Sequence, residues 1–91
     1  MKNIRVSNMT SSNGNDVPNQ FIIQMGKQTF FQSYNSIIAV KEWGEKTKLD
    51  ERYWDYSKTT GKYRNEFLRE TKRETQTKID NGTYILTNLN D

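Results

Sequence analysis

The sequence predicts an α+β fold, in which one or two short helices cover one face of a small antiparallel sheet made of a β-meander and a C-terminal strand. Three observations predict it. Segments rich in aromatic and β-branched residues follow one another between residues 20 and 49, helix-type spacing begins after Asp50, and a last β-rich segment lies near the end. Strands and helices that are segregated along a chain indicate this class.

The first 19 residues differ from the rest of the chain in amino-acid composition and are predicted to be a flexible polar leader. Residues 7–19 are small and polar and include the single proline, Pro18, which is typical of loops. Within this leader, residues 2–6 are predicted as a short edge strand. Residues 20–91 then form a single α+β domain, as the length of 91 residues allows.

Four strands are predicted in the first part of this domain. Gly26 and Lys27 join the first two strands, and a leading glycine suits a type II′ hairpin turn. Consecutive strands joined by short turns pair as an antiparallel meander. The predicted strands are residues 21–25, 28–34, 36–43 and 47–49.

The next segment predicts a helix that packs on the sheet. Ser57, Thr59 and Thr60 are read first as helix-capping hydroxyls and only secondarily as an anion site. Tyr63 and Phe67 are four residues apart, so they lie on one face of the helix, which we expect to contact the sheet.

A second helix and a last strand complete the predicted order. Thr71 and Glu74 have the spacing of a capping box, which indicates a helix start. Asn81-Gly82 is predicted to end this helix, because glycine is the favoured left-handed cap. Residues 84–87 are predicted as the C-terminal strand.

Composition excludes several kinds of chemistry. The chain has no cysteine and no histidine, which removes thiolate chemistry and the usual general base and metal ligand. Asp50, Glu51 and Asp55 are the main carboxylate cluster, and we interpret them as capping groups rather than as a magnesium site. No nucleophile has a recognised activating neighbour. We therefore expect no enzyme activity, no cofactor and no metal, with an unidentified enzyme as the remaining alternative.

Charge is distributed unevenly along the chain. Residues 52–78 hold eight Lys or Arg against four Asp or Glu, whereas the other residues hold six against seven. Cations neutralise phosphates and aromatic rings stack on bases, so a surface for nucleic acid or another partner is one interpretation. A solvated helix face with aromatics in the core is the other. The candidate residues are Lys58, Lys62, Arg64, Arg69, Lys72, Arg73, Tyr53, Trp54 and Tyr56.

Three stretches resemble a family of small uncharacterised proteins from phages and prophages of Gram-positive bacteria. The first is FQSYNSII at residues 31–38, and the second is YWDYSKTTGKYR at residues 53–64, continuing to Phe67-Leu68. The third comprises Ile79, Gly82, Tyr84 and the closing Leu89-Asn90. The likeness spans residues 20–90, and its middle stretch is the most specific.

The resemblance implies a context and no mechanism. Small phage proteins commonly bind and disable a host enzyme or a defence factor, including CRISPR ribonucleoproteins, or they bind nucleic acid. The sequence pI of about 9.2 departs from the acidic nucleic-acid mimics among such inhibitors. We therefore expect a non-enzymatic inhibitor, with a nucleic-acid-binding module that uses the helical face 62–78 as the alternative.

Expectations about location and assembly follow. The longest apolar run, residues 37–40, is far too short to span a bilayer, and no signal-peptide pattern occurs near the N-terminus. We expect the cytoplasm of the bacterial host and no membrane partner. Only 32% of the residues are hydrophobic, so the core is thin and a homodimer is a reasonable expectation.

Overall fold

The computed structural model describes residues 3–91 and contains six strands and two α-helices. This architecture confirms the predicted α+β class. The strands are β1 (Ile4–Thr10), β2 (Asp16–Met25), β3 (Gln28–Ser33), β4 (Ser36–Glu42), β5 (Lys48–Asp50) and β6 (Ile85–Thr87), and the helices are α1 (Lys58–Leu68) and α2 (Lys72–Asp80).

The six strands form one sheet in which the spatial order equals the sequence order. Consecutive strands from β1 to β5 pair antiparallel, as short turns require. The predicted turn at Gly26 is present, and its φ of 62° is a conformation that glycine adopts readily. β6 pairs parallel to β5 because α1 and α2 form the crossover between them.

The structure differs from the predicted flexible polar leader, because parts of the stretch 7–19 that was predicted as loop belong to β1 and β2. β1 pairs antiparallel with β2, from Ile4 opposite Met25 to Thr10 opposite Asp16, and Asn8 Nδ2 donates to the Val17 carbonyl at 3.1 Å. Within residues 7–19, Met9 and Val17 pack against the core, while the remaining residues are small or polar and mostly exposed. The edge strand predicted at residues 2–6 corresponds to β1, which begins at Ile4 and continues to Thr10. Residue 2 of the predicted range lies outside the described residues.

The hydrophobic core lies between the sheet and α1. Buried Phe31, Ala39 and Leu49 supply the sheet side of this core, and Tyr63 and Phe67 supply the helix side, as their spacing predicted. The rings of Phe31 and Phe67 are 5.7 Å apart between centroids. The helices cover this one face of the sheet, so the core is thin.

Local hydrogen bonds begin and end the two helices. Ser57 is the N-cap of α1, and its hydroxyl accepts a hydrogen bond from the Thr60 amide at 3.1 Å. At the other end, Lys41 donates from β4 to the Phe67 carbonyl at 2.6 Å and so satisfies a free carbonyl of the last turn. The predicted capping box between Thr71 and Glu74 begins α2, with both reciprocal hydrogen bonds formed.

The C-terminal tail is held against the sheet by two polar side chains. The Asn90 amide bonds both the N–H and the carbonyl of Ile37, at 2.7 and 3.0 Å, beside the irregularity in the β3–β4 register. The Asp50 carboxylate accepts from the Leu89 amide at 2.8 Å. The Asn90 bonds attach the tail to β4, and the Asp50 bond attaches it to β5. The segment that leads to α1 begins directly after β5.

Candidate binding site

A surface pocket of about 580 Å³ lies where the β3–β4 turn meets the start of α1. Its two walls come from residues 33–38 and 53–60. We call it the tyrosine pocket. It is lined by Ser33, Tyr34, Asn35, Ser36, Ile38, Tyr53, Tyr56, Ser57, Thr59 and Thr60.

Tyr34 occupies the two-residue turn between β3 and β4 with an unusual backbone. Its φ is 56°, a left-handed conformation that is costly for a residue with a bulky side chain. Its amide donates to the Asn19 carbonyl at 2.7 Å, which holds the turn in place. The residue is 51% exposed, so much of its surface is available for contact. Strain of this kind is concentrated at functional positions in proteins.

Hydroxyl groups form the polar side of the pocket. The hydroxyls of Ser33 and Thr60 are 3.0 Å apart, and Ser57 donates to the Thr60 hydroxyl at 3.2 Å. Ser33 and Thr60 are buried, and Ile38 adds an apolar surface beside them. These hydrogen bonds link β3 to α1, so they fix the two walls relative to each other.

The second wall is ordered by Asp50. Its carboxylate accepts hydrogen bonds from the amides of Arg52 and Tyr53 at 3.0 and 2.9 Å. Burial raises the pKa of Asp50, but the amide donors outweigh burial and hold the pKa below its ordinary value. Tyr53 packs against the core and meets Tyr56 edge-on, with 5.5 Å between the ring centroids. Tyr56 itself is 70% exposed at the pocket rim.

Arg64 is not a surface cation, so its selection as a candidate contact residue was wrong. It is 1% exposed, and its guanidinium donates to the Trp54 carbonyl at 2.6 Å and to Asp55 at 3.0 Å. The guanidinium carbon also lies 5.1 Å from the Trp54 ring centroid. Arg64 and the partly buried Trp54 therefore hold the 53–57 segment on α1.

A groove of about 750 Å³ adjoins the tyrosine pocket along the first turns of α1. Lys72 lines it and pairs with Asp55 at 2.7 Å. Burial raises the pKa of Asp55, but hydrogen bonds from Lys72 and Arg64 outweigh burial and lower it. Lys58 and Lys62 line the same groove, are exposed, and form no ion pair within residues 3–91. They are accessible cations of the groove that adjoins the pocket.

The rest of the predicted basic face is interrupted by acidic contacts. Arg69 and Arg73 are exposed, and Arg69 is the left-handed C-cap of α1 with a φ of 57°. The buried Glu70 carboxylate accepts from Lys78 at 2.7 Å and from the Tyr84 hydroxyl at 2.9 Å. Burial raises the pKa of Glu70, yet these donors and the Thr75 hydroxyl hold it below its ordinary value. The face 62–78 is therefore a mixed-charge surface.

The sequence identified Tyr53 and Tyr56 as candidates, and Ser57 and Thr60 as caps and secondarily as an anion site, but it missed Tyr34 and Ser33 on the opposite wall. Residues 33–36 reach the 53–60 segment only through the packing of α1 on β3 and β4, which a linear reading does not show. An aromatic residue in a two-residue hairpin turn was the available signal, since turns are usually polar.

The tyrosine pocket combines aromatic rings with hydroxyl groups. Exposed tyrosine rings supply contact area and hydroxyls supply hydrogen bonds, a combination that is frequent where proteins bind partners. Within residues 3–91, no group of three acidic, histidine or cysteine side chains is placed to hold a metal ion. In the same range, neither helix has the length and apolar character needed to cross a membrane.

Fold and site together define a small two-layer α+β protein with an aromatic surface pocket. The model of a family of unknown function, DUF8033, matches residues 4–82, so the chain belongs to this family. No curated protein and no solved structure matches the chain.

Proposed function

We propose that this chain is a non-enzymatic interaction protein that binds a protein or ribonucleoprotein partner through the tyrosine pocket. The observation that carries the proposal is the exposed pair Tyr34 and Tyr56, which flank the pocket on walls fixed by buried hydrogen bonds. Tyrosine is enriched among the residues that dominate binding energy. A rigid pocket also limits the entropy lost on binding.

The resemblance to phage and prophage proteins supplies the biological context of this proposal. Under it, the partner is a host enzyme or a defence factor in the cytoplasm of a Gram-positive bacterium, and binding inhibits that partner. Both pocket walls come from the stretches that carry the resemblance. Inhibition by surface occupation needs no catalytic group, which agrees with the absence of histidine and cysteine from the sequence.

An affinity capture tests the proposal. The tagged chain, its Tyr56→Ala variant and its Trp43→Ala variant are each expressed in infected or CRISPR-bearing Gram-positive cells, and the lysates are divided and treated with or without nuclease. Trp43 is the matched control, because it is 82% exposed and lies outside the pocket. We expect a protein partner that survives nuclease treatment with wild type and Trp43→Ala and is lost with Tyr56→Ala. Equal recovery with all three proteins would refute the tyrosine pocket as the contact.

A nucleic-acid-binding module is the second candidate, and the position of Lys58 and Lys62 favours it. Both exposed cations border the groove next to Tyr56, so a single strand could place phosphates on the lysines and a base on the ring. The paired Lys72 and the buried Arg64 contribute less to this surface than the sequence suggested.

Binding of labelled single-stranded RNA and DNA at several salt concentrations distinguishes this candidate. The Lys58→Glu, Lys62→Glu double variant should bind more weakly and with a shallower salt dependence, by about one unit of slope per lost phosphate contact. The Lys72→Glu, Arg73→Glu double variant changes the net charge by the same amount and serves as the control. It should weaken nucleic-acid binding less than the Lys58→Glu, Lys62→Glu double variant does. Nuclease-sensitive capture together with this pattern would replace the protein-partner proposal.

A further inference from the structure

The face of the sheet opposite the helices carries an apolar row that crosses the whole molecule. Directly paired residues lie on the same face of a sheet, so the register gives the composition of each row. Five of the six residues in the central row are apolar. The row consists of Val6, Ile23, Phe30, Val40, Lys48 and Ile85.

This row faces away from the hydrophobic core. The residues next to it in sequence, among them Phe31, Ala39 and Leu49, are those that pack under α1. Val6 is 61% exposed and Ile85 is 40% exposed at the two ends of the row, whereas Val40 at its centre is already buried. Ile4 extends the apolar surface into the neighbouring row and is also exposed. The row therefore has exposed apolar ends with half-buried or buried members between them, and an apolar surface that spans a sheet face is a feature of interaction sites.

The open face is nearly neutral although the chain has a net charge of +3. Its central rows carry one acid, Glu42, and one base, Lys48, on neighbouring strands. Asp50 lies on the same side of β5, but it is buried and bonded to backbone amides. Nucleic acid and anionic lipid surfaces require an excess of cations, so neither fits this face.

A second copy of the chain fits the face in both charge and area. In a twofold interface, each contact occurs twice in reciprocal form, so Lys48 of one copy can lie against Glu42 of the other. The principal extents of the molecule are 34, 34 and 22 Å. A face with these dimensions can accommodate a footprint of about 800 Å² per partner, the area of a standard stable interface.

We propose that the open sheet face is a homodimer interface in which two copies stack their apolar rows about a twofold axis. Sheets pack face to face about 10 Å apart, so the side chains of the row would fill the space between the two copies. The dimer then has a second core, which compensates for the thin core under the helices. The tyrosine pocket is lined by turn and helix-side residues and does not overlap this row, so this proposal is independent of the proposed function.

Sedimentation equilibrium of the purified full chain, from about 1 to about 200 µM, tests the proposal. We expect a reversible dimer, and Val6→Glu should raise its dissociation constant by about 30-fold or more because it buries an unpaired charge. The matched control is Gln24→Glu, which adds the same charge at an exposed position on the opposite face of the same two strands. That variant should associate as the wild type does. A monomer throughout the concentration range would overturn the proposal.

A charge exchange separates face-to-face stacking from pairing of exposed strand edges. Lys48→Glu should weaken the dimer, and Lys48→Glu combined with Glu42→Lys should restore it, because the reciprocal ion pairs form again with reversed sign. Neither residue is on an outer strand. A dimer that is indifferent to Lys48→Glu, or one that the double variant fails to restore, would overturn the proposal. Circular dichroism of each variant verifies that the fold is retained.

Discussion

At the scale of single residues, the structure separates side chains that build the fold from those that are available for binding. Arg64 and Asp55 form a bonded pair under Trp54, so their charges are used within the chain. Tyr34 and Tyr56 are 51% and 70% exposed, so much of each residue remains accessible to a partner. The left-handed backbone of Tyr34 costs free energy, which is consistent with selection of this residue for binding.

The backbone at Tyr34 gives a residue-scale prediction. Tyr34→Gly should increase the free energy of unfolding by about 0.5–1 kcal/mol, because glycine adopts positive φ without strain and this relief exceeds its larger chain entropy. Chemical denaturation measures the change. The neighbouring Asn35 has negative φ, so Asn35→Gly should instead lower stability by a similar amount. A loss of stability in Tyr34→Gly would show that the ring itself contributes to the fold.

At the scale of elements, most of the helices and strands were predictable because their signals are local. The capping box at Thr71, the glycine turn at Gly26 and the spacing of Tyr63 and Phe67 each depend on a few neighbouring residues. The strand structure within residues 7–19 was missed because this stretch is polar over most of its length. In it, Met9 and Val17 pack against the core, and two isolated apolar residues give no periodic signal.

The contact between α1 and the sheet gives the element-scale prediction. Phe67→Ala should lower the free energy of unfolding by about 3–5 kcal/mol, since the buried ring packs on Phe31 and a cavity would remain. Urea denaturation monitored by circular dichroism measures this loss. Tyr56→Ala removes an exposed ring of similar size and should cost less than about 0.5 kcal/mol. Equal costs for the two variants would contradict the assignment of Phe67 to the core.

At the scale of the whole molecule, three buried or half-buried carboxylates hold distant segments together. Asp50 fixes the C-terminal tail, Asp55 links the pocket wall to both helices, and Glu70 joins the helix connection to Tyr84. The pKa of each carboxylate is lower in the folded chain than its ordinary value, because the gain from donors outweighs burial. The sequence could not reveal these links, because the donors that join distant segments to the carboxylates lie from 8 positions away, for Lys78 and Glu70, to 39 positions away, for Leu89 and Asp50.

These carboxylates predict how stability depends on pH. A folded-state pKa below the unfolded value means that the stabilisation is present above about pH 4 and is lost as the pH falls through the folded-state pKa values. The urea midpoint should therefore be constant near neutral pH and decrease steeply below about pH 4. Asp50→Asn should lower stability at pH 7 by about 1–3 kcal/mol and reduce this acid dependence. An unchanged midpoint at pH 3 would contradict these assignments.

Site-specific photo-crosslinking in cells tests the central claim, that the tyrosine pocket contacts a partner, most directly. A photoreactive phenylalanine analogue replaces Tyr56 in one version of the tagged chain and Trp43 in another, and both are irradiated during infection. We predict a covalent protein adduct from position 56 and none from position 43. An adduct from position 43 with none from position 56 would place the contact at the opposite end of the β3–β4 hairpin and contradict the claim.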